Sequence, residues 1–176
     1  NADDPLWLSG ADEGDELDKT QWRGIAVYID HDGGDIHPVS LELIGKAREL
    51  AEKGNQPVLA LLIGDDLQDQ AELLLSYGID VLYLYDHPGL ADFRIYTYTA
   101  AFEDFIKTSH PSVVLVGGTP IGRSLAPRTA ARFRTGITAD CTALDIRDNT
   151  DLDQIRPAFG GNIMAHIQTP KHRPQF

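Results

Sequence analysis

Residues 112–146 read SVVLVGGTPIGRSLAPRTAARFRTGITADCTALDI, and this stretch decides the fold. Val113–Val116 is a short apolar strand that breaks at Gly117-Gly118-Thr119. Ser124–Phe133 has helical character with Ser124 placed to cap it, and Thr135-Gly136 stops it. Thr138–Leu144 then alternates and predicts a second strand. Two adjacent glycines let a backbone turn sharply without a Cβ penalty. A loop leaving the carboxyl end of a parallel strand is where open α/β sheets place ligands. The spacing is not GxGxxG and contains no GK[ST], so neither a dinucleotide fingerprint nor a Walker loop is present. From its residues alone, the stretch is the ligand or partner edge of an α/β sheet.

Outward from it, the same order of strand and helix repeats. Gly24–Ile29 is an apolar strand, and the glycine-rich turn before Ile36-His37-Pro38 predicts a hairpin-like return. From Ser40, apolar residues recur at helical spacing, with Ser40 as the cap and Gly54 closing the end. Pro57–Ile63 reads as a strand covered on both faces, Asp69–Tyr77 as a short helix ended by Gly78, and Asp80–Tyr85 as a further buried strand. Ile95–Thr108 mixes β-prone residues with the helical spacing of Tyr98, Ala101, Phe102, Phe105 and Ile106; length and spacing favour helix. Strands alternating with helices predict an open, mostly parallel sheet with helices on both faces. Beyond Gly136, Thr138–Leu144, Gln154–Phe159 and Asn162–Gln168 follow one another as strands, which predicts an antiparallel extension near the carboxyl end.

The 176 residues suit one domain with a substantial core. Net charge is −12, but residues 1–18 hold seven acidic residues and no basic one, which leaves −5 for the rest. Residues 1–22 are therefore expected to be an acidic, solvated tail, with the domain covering 23–176. Nothing resembles a basic nucleic-acid footprint, and no apolar run approaches the roughly 20 residues a membrane helix needs. Cys141 is alone, so no internal disulfide is possible; together with the absence of a signal-peptide pattern this suggests a cytoplasmic protein. The start at Asn1-Ala2, without Met, suggests a processed beginning.

Among single residues, Arg123 sits at the glycine loop, where backbone N–H groups at a helix start favour an anion. Arg128 and Arg132 are four apart and share a helix face, so with Arg134 they form a solvated or partner-facing basic stripe. Pro127 is tolerable if Ser124 caps the helix, whereas an earlier start implies a kink. Asp140 and Cys141 fall on opposite faces of the expected strand, Cys141 as a small buried hydrophobe. Asp30, Asp32 and Asp35 flank Gly33-Gly34 but lack the spacing of a calcium loop, so a turn is the reading. The six histidines have no ligand spacing and the serines no G-x-S-x-G elbow.

The longer motifs carry a resemblance. Gly122-Arg123-Ser124-Leu125-Ala126-Pro127-Arg128 and Thr135-Gly136-Ile137-Thr138-Ala139-Asp140-Cys141-Thr142 resemble the signature of the electron transfer flavoprotein alpha subunit. The likeness extends to Arg156-Pro157-Ala158-Phe159-Gly160-Gly161-Asn162-Ile163-Met164-Ala165, to His172-Arg173-Pro174-Gln175, and back to the Pro38–Ala47 stretch. It departs at Gly117-Gly118-Thr119, where Gly-Ala-Thr is commoner, and at Ser124, where many members carry Asp.

The resemblance implies a Rossmann-like, adenine nucleotide alpha hydrolase-like amino-terminal domain that packs on a beta subunit. It further implies a second, carboxyl-terminal domain that holds FAD and is absent here, so that no FAD is expected to bind this chain tightly. The whole heterodimer would be an electron carrier rather than an enzyme. It would serve flavin dehydrogenases such as the acyl-CoA dehydrogenase of fatty acid β-oxidation. The Arg-Pro-Ala-Phe-Gly-Gly-Asn segment looks closer to the branch from anaerobic bacteria, some of which bifurcate electrons. By resemblance, Arg156, Gly117, Gly118, Thr119 and Arg123 border the flavin, and Arg128, Arg132, Pro157, Phe159, Gly160 and Gly161 the partner. For Arg156 the rival reading is a surface ion pair with Asp151 or Asp153. For the whole chain it is a free-standing nucleotide-binding α/β domain.

Overall fold

The computed structural model describes residues 17–176. Four strands, β1 (Ile25–Ile29), β2 (Val58–Gly64), β3 (Val81–Asp86) and β4 (Val113–Leu115), form a parallel sheet in the order β3-β2-β1-β4. The helices are α1 (Pro38–Gly54), α2 (Gln68–Leu75), α3 (Ile95–Ser109) and α4 (Pro120–Arg132). The antiparallel strands β5 (Ala143–Ile146), β6 (Leu152–Ala158) and β7 (Ile163–Ile167) make a separate three-stranded sheet.

Side-chain alternation along β1 and β2 sets the layers. Ile25, Val27 and Ile29, with Val58, Ala60 and Leu62, join Ile44, Ala47 and Leu50 of α1 and Leu74 of α2 in one apolar cluster. Ala26, Tyr28, Leu59, Leu61 and Ile63 face the other way, into Phe102, Phe105 and Ile106 of α3 and Leu125 and Ala126 of α4. A strand with both faces covered needs an unbroken apolar sequence, which VLALLIG supplies. The second sheet packs on the α1 side through Ile146 and Leu152. It is tied to the first by the chain end. Val114 N donates to Gln175 O (2.8 Å), Gln175 N to Ser112 O (3.0 Å), and Leu152 N to Gln175 Oε1 (2.7 Å).

Several boundaries differ from the sequence reading, each for a local reason. Helix α1 starts at Pro38 with His37 as its cap, because Ser40 is buried and its Oγ accepts the Asp30 N–H instead. It closes on Asn55 in the left-handed conformation, one residue past Gly54. Helix α2 spans Gln68–Leu75 and stops short of Tyr77. Strand β3 is the sheet edge, so Val81 and Leu84 are exposed rather than buried. Helix α4 begins at Pro120 under Thr119, not at Ser124, and runs through the exposed Pro127. The expected strand Thr138–Leu144 shrinks to Ala143–Ile146, because Asp140 has φ +57° and Thr138 N donates to Phe176 O.

Most of the expected tail lies outside the described residues, but its end does not. Asp18 caps the turn Lys19–Gln21, Lys19 pairs with Asp151 at 2.8 Å, and Trp22 packs edge-on against His110. No described helix is long and apolar enough to cross a membrane.

Candidate functional site

The chain runs outward from β1 to β3 and returns as β4 on the other side of β1. That reversal sets the crevice of the sheet at the carboxyl ends of β1 and β4. Asp30, directly after β1, is 6 % exposed, and its Oδ2 accepts the hydroxyl of Thr119 after β4. The same Thr119 oxygen accepts the Gly122 N–H (3.0 Å) and so caps α4. Asp30 is therefore a buried tie between two loops; its place directly after a wholly apolar strand was the available signal. The turn itself is made by Asp32, whose Oδ1 accepts Gly34 N (3.1 Å) and Asp35 N (2.9 Å). Those two bonds hold the Asp32 carboxyl below the usual range.

The glycine loop is closely packed. Neither Gly117 nor Gly118 has a positive φ. Gly117 is glycine because a Cβ there would lie 2.7 Å from Val39 Cγ1 of α1. The loop thus lets α1 approach β4, with Gly117 buried and Gly118 exposed. Beside it lies a hollow of about 490 Å³, bounded by Val39, Val116, Arg123, Ile137, Cys141 and Phe176. Burial pushes the Cys141 thiol up against a smaller opposing pull from Arg156, and its Sγ–H donates to Thr138 O at 3.6 Å.

Arg123 spans this loop, with Nε donating to Gly118 O (3.0 Å) and Nη2 to Asp140 (3.1 Å). Its charge pins the segment 137–141 to the first turn of α4. Arg128 and Arg132 turn toward α3. The Arg128 guanidinium lies 4.6 Å from the Tyr96 ring centroid, a cation–π contact, and Arg132 is 3.5 Å from Glu103.

Arg156 lies on β6 of the second sheet, close enough to Cys141 to act on its thiol. It shares a face of β6 with Leu152 and Gln154, both buried, and pairs in register with Ala165. Neither rival carboxylate reaches it. Asp151 is held by Lys19 (2.8 Å) and Arg173 (2.7 Å), and Asp153, on the opposite face, by His166 (2.9 Å). Among the described residues, Arg156 has no ion-pair partner. Two residues on, β6 turns into β7 through Phe159, Gly160 and Gly161, with φ values of +49°, +70° and +89°. Glycine adopts that conformation freely, whereas Phe159 holds it at a cost. Phe159 is 81 % exposed, and at the start of β7 Ile163 (55 %) and Met164 (49 %) are exposed on opposite faces. Among the described residues no three His, Cys, Asp or Glu side chains gather as metal ligands.

The sequence matches a family model described as the electron transfer flavoprotein domain over residues 25–176. It is 58 % identical over 165 residues to the lactate dehydrogenase (NAD(+),ferredoxin) subunit LctC of Acetobacterium woodii, covering 94 % of this chain and 40 % of that protein. It is 44 % identical to the electron transfer flavoprotein subunit alpha of Thermoanaerobacterium thermosaccharolyticum, covering 88 % and 47 %. To the FixB protein of Azorhizobium caulinodans it is 40 % identical, covering 88 % and 43 %. The chain therefore spans less than half the length of these curated relatives. A family match over almost all the described residues, with alpha-subunit relatives at this identity, places the chain in the electron transfer flavoprotein family, on its alpha-subunit side.

Proposed function

We propose that this chain is the amino-terminal α/β domain of an electron transfer flavoprotein alpha subunit, that it packs on a beta subunit through the β6–β7 turn, and that Arg156 faces a flavin across that contact. The observation that carries this reading is Arg156 itself, a half-buried residue with no ion-pair partner among the described residues, three positions before the exposed Phe159. An unpaired guanidinium is suited to a planar, electron-rich acceptor that gains negative charge. The exposed apolar side chains of Phe159 at the turn and of Ile163, which shares the Arg156 face of the sheet, are suited to a protein partner. FAD supplies the redox chemistry when bound. Of the flavin contacts implied by the resemblance, Gly117 and Thr119 are buried at the carboxyl edge of the sheet, Gly118 and Arg123 are exposed there, and Arg156 alone of the two arginines lacks an ion-pair partner among the described residues. The likeness to a subunit whose name couples NAD(+) and ferredoxin favours the electron-bifurcating type and a dehydrogenase as electron donor.

The docking surface has a direct test. Burying a Phe side chain stabilises by roughly 1.5–3 kcal/mol, so Phe159→Ser is expected to weaken binding to the cognate beta subunit by about 10- to 100-fold. Leu73→Ser, at another exposed apolar position on α2, is expected to leave it unchanged. Titration calorimetry with both variants checks this. Equal affinity for the Phe159 variant and the parent would place the interface elsewhere.

A further inference from the structure

β3 forms one end of the first sheet, and β4, at the other end, is the strand tied to the second sheet. The ladder between β2 and β3 runs unbroken to Asp86, and His87 N continues it by donating to Gly64 O (3.0 Å). Alternation back from His87 turns the N–H and C=O groups of Leu82, Leu84 and Asp86 away from β2, on the side where no described strand follows. Edge strands are commonly guarded by Lys, Pro or a bulge. VLYLYD contains none of these, and Val81 and Leu84 are exposed on its two faces. Charge singles out the same edge. Residues 54–93 hold seven carboxylates and no Lys or Arg, so they carry −7, and the rest of residues 19–176, at −5 in all, carries +2. Six of the seven residues are exposed, and none forms an ion pair among the described residues. Two of them, Asp80 and Asp86, bracket β3 roughly 20 Å apart. Each accepts backbone N–H groups, which fixes its place without neutralising its charge.

We propose that the outer edge of β3 docks a partner protein through an extended basic segment, which adds to the sheet as a strand and sets Lys or Arg against the carboxylates at its two ends. Main-chain bonds to Leu82, Leu84 and Asp86 supply affinity in this mode, and alternate side chains supply specificity. Leu84 meets an apolar residue of the added strand on one face of the sheet and Val81 on the other. Charge decides among the occupants. A second copy of this chain would bring one acidic edge against another. Paired antiparallel about Tyr83, it would set Asp80 of one copy opposite Asp86 of the other, and like charges directly opposite are destabilising. A nucleic acid or an anionic membrane is disfavoured by the same sign of charge. None of these residues belongs to the β6–β7 turn, so this surface and the contact with the beta subunit are tested separately.

Two end-blocked peptides, Lys-Val-Thr-Val-Thr-Val-Lys and the same sequence with Glu at both ends, test the edge when titrated into this chain labelled with ¹⁵N. The Lys peptide should shift the amide signals of Leu82, Leu84 and Asp86 and slow their hydrogen exchange, while those of β6 and β7 stay in place. Raising the salt from about 0.05 to about 0.3 M should weaken it about threefold or more, because exposed charges are screened. The Glu peptide should bind at least about tenfold more weakly. Leu84→Lys puts a guarding charge at the middle of the edge and should lower the affinity for the Lys peptide about tenfold. Its urea midpoint, expected to match the parent's because Leu84 is exposed, shows that the variant is folded. Equal affinity for the two peptides, or shifts that leave β3 unmoved, would overturn the proposal. Concentration-dependent shifts of the same amides without peptide would overturn it as well, by assigning the edge to a second copy.

Discussion

Arg173→Met is expected to lower the folding stability of this chain by about 3–5 kcal/mol, the cost of breaking a buried ion pair from one side. The Arg173 side chain has no exposed surface, and its Nη2 donates to Asp151 Oδ1 at 2.7 Å and to Thr150 Oγ1 at 3.3 Å. Its Nη1 donates to the carbonyls of Thr169 and His172. Asp151 also holds Lys19 and accepts from Asn149 Nδ2 (3.0 Å), so removal of Arg173 leaves a buried carboxylate with one neutral partner and one cation that is itself partly exposed. The loss should therefore fall near the lower end of that range. Burial alone would push the Asp151 carboxyl up, but the bonds from Lys19 and Arg173 outweigh it and hold it below the usual value. A depressed folded value contributes stability that is present above the unfolded carboxylate range and lost as pH falls through the folded value. Urea unfolding at pH 7 and at pH 3 checks both halves of this. The parent should lose stability between the two and the variant should lose less. Equal midpoints for the two proteins at pH 7 would show that the pair contributes nothing.

Gly122→Ala should be nearly as damaging, by about 3 kcal/mol, at the upper end of what overpacking costs. The added Cβ would stand 2.0 Å from the backbone carbonyl oxygen of Gly117 and 3.0 Å from Val116 Cγ1. A flexible side chain could swing away; a backbone carbonyl cannot without carrying its loop. That loop holds Thr119, which caps α4 and binds Asp30, so the displacement would break two bonds as well. Alanine is otherwise the better helix residue by up to about 1 kcal/mol, and an unchanged or raised urea midpoint would show that the loop yields freely.

The layers were readable because they follow from alternation. GIAVYI and PVLALLI are apolar at every position, and such runs need cover on both faces, which is where the two helical layers lie. The motifs that carry the resemblance occupy the described site, including the Arg156–Gly161 turn. What the sequence could not convey was long-range competition for single groups. Ser40 looks like a cap, yet its hydroxyl is taken by a backbone N–H ten residues earlier. Thr138–Leu144 alternates like a strand, yet its first residue pairs with the chain end and Asp140 turns the backbone out of extension. DVLYLY is as apolar as its neighbours, and only the strand order puts it at the edge. The partners of Asp151 and Asp153, which leave Arg156 without either, lie across the structure and have no local signature.

The central claim, that Arg156 faces a flavin of the beta subunit, rests most directly on one measurement. In the full heterodimer, a guanidinium bonded to a flavin that becomes negatively charged on reduction should favour the reduced form. A hydrogen bond to a charged group is worth about 1.5–3 kcal/mol, which for a two-electron couple corresponds to roughly 30–65 mV. A redox titration of Arg156→Ala against the parent should therefore show the potential of that flavin lowered by about this amount. Arg156→Lys should restore only part of it, since it keeps the charge but loses the planar fork. Potentials that coincide with the parent's in both variants would contradict the claim and remove Arg156 from the electron-transfer site.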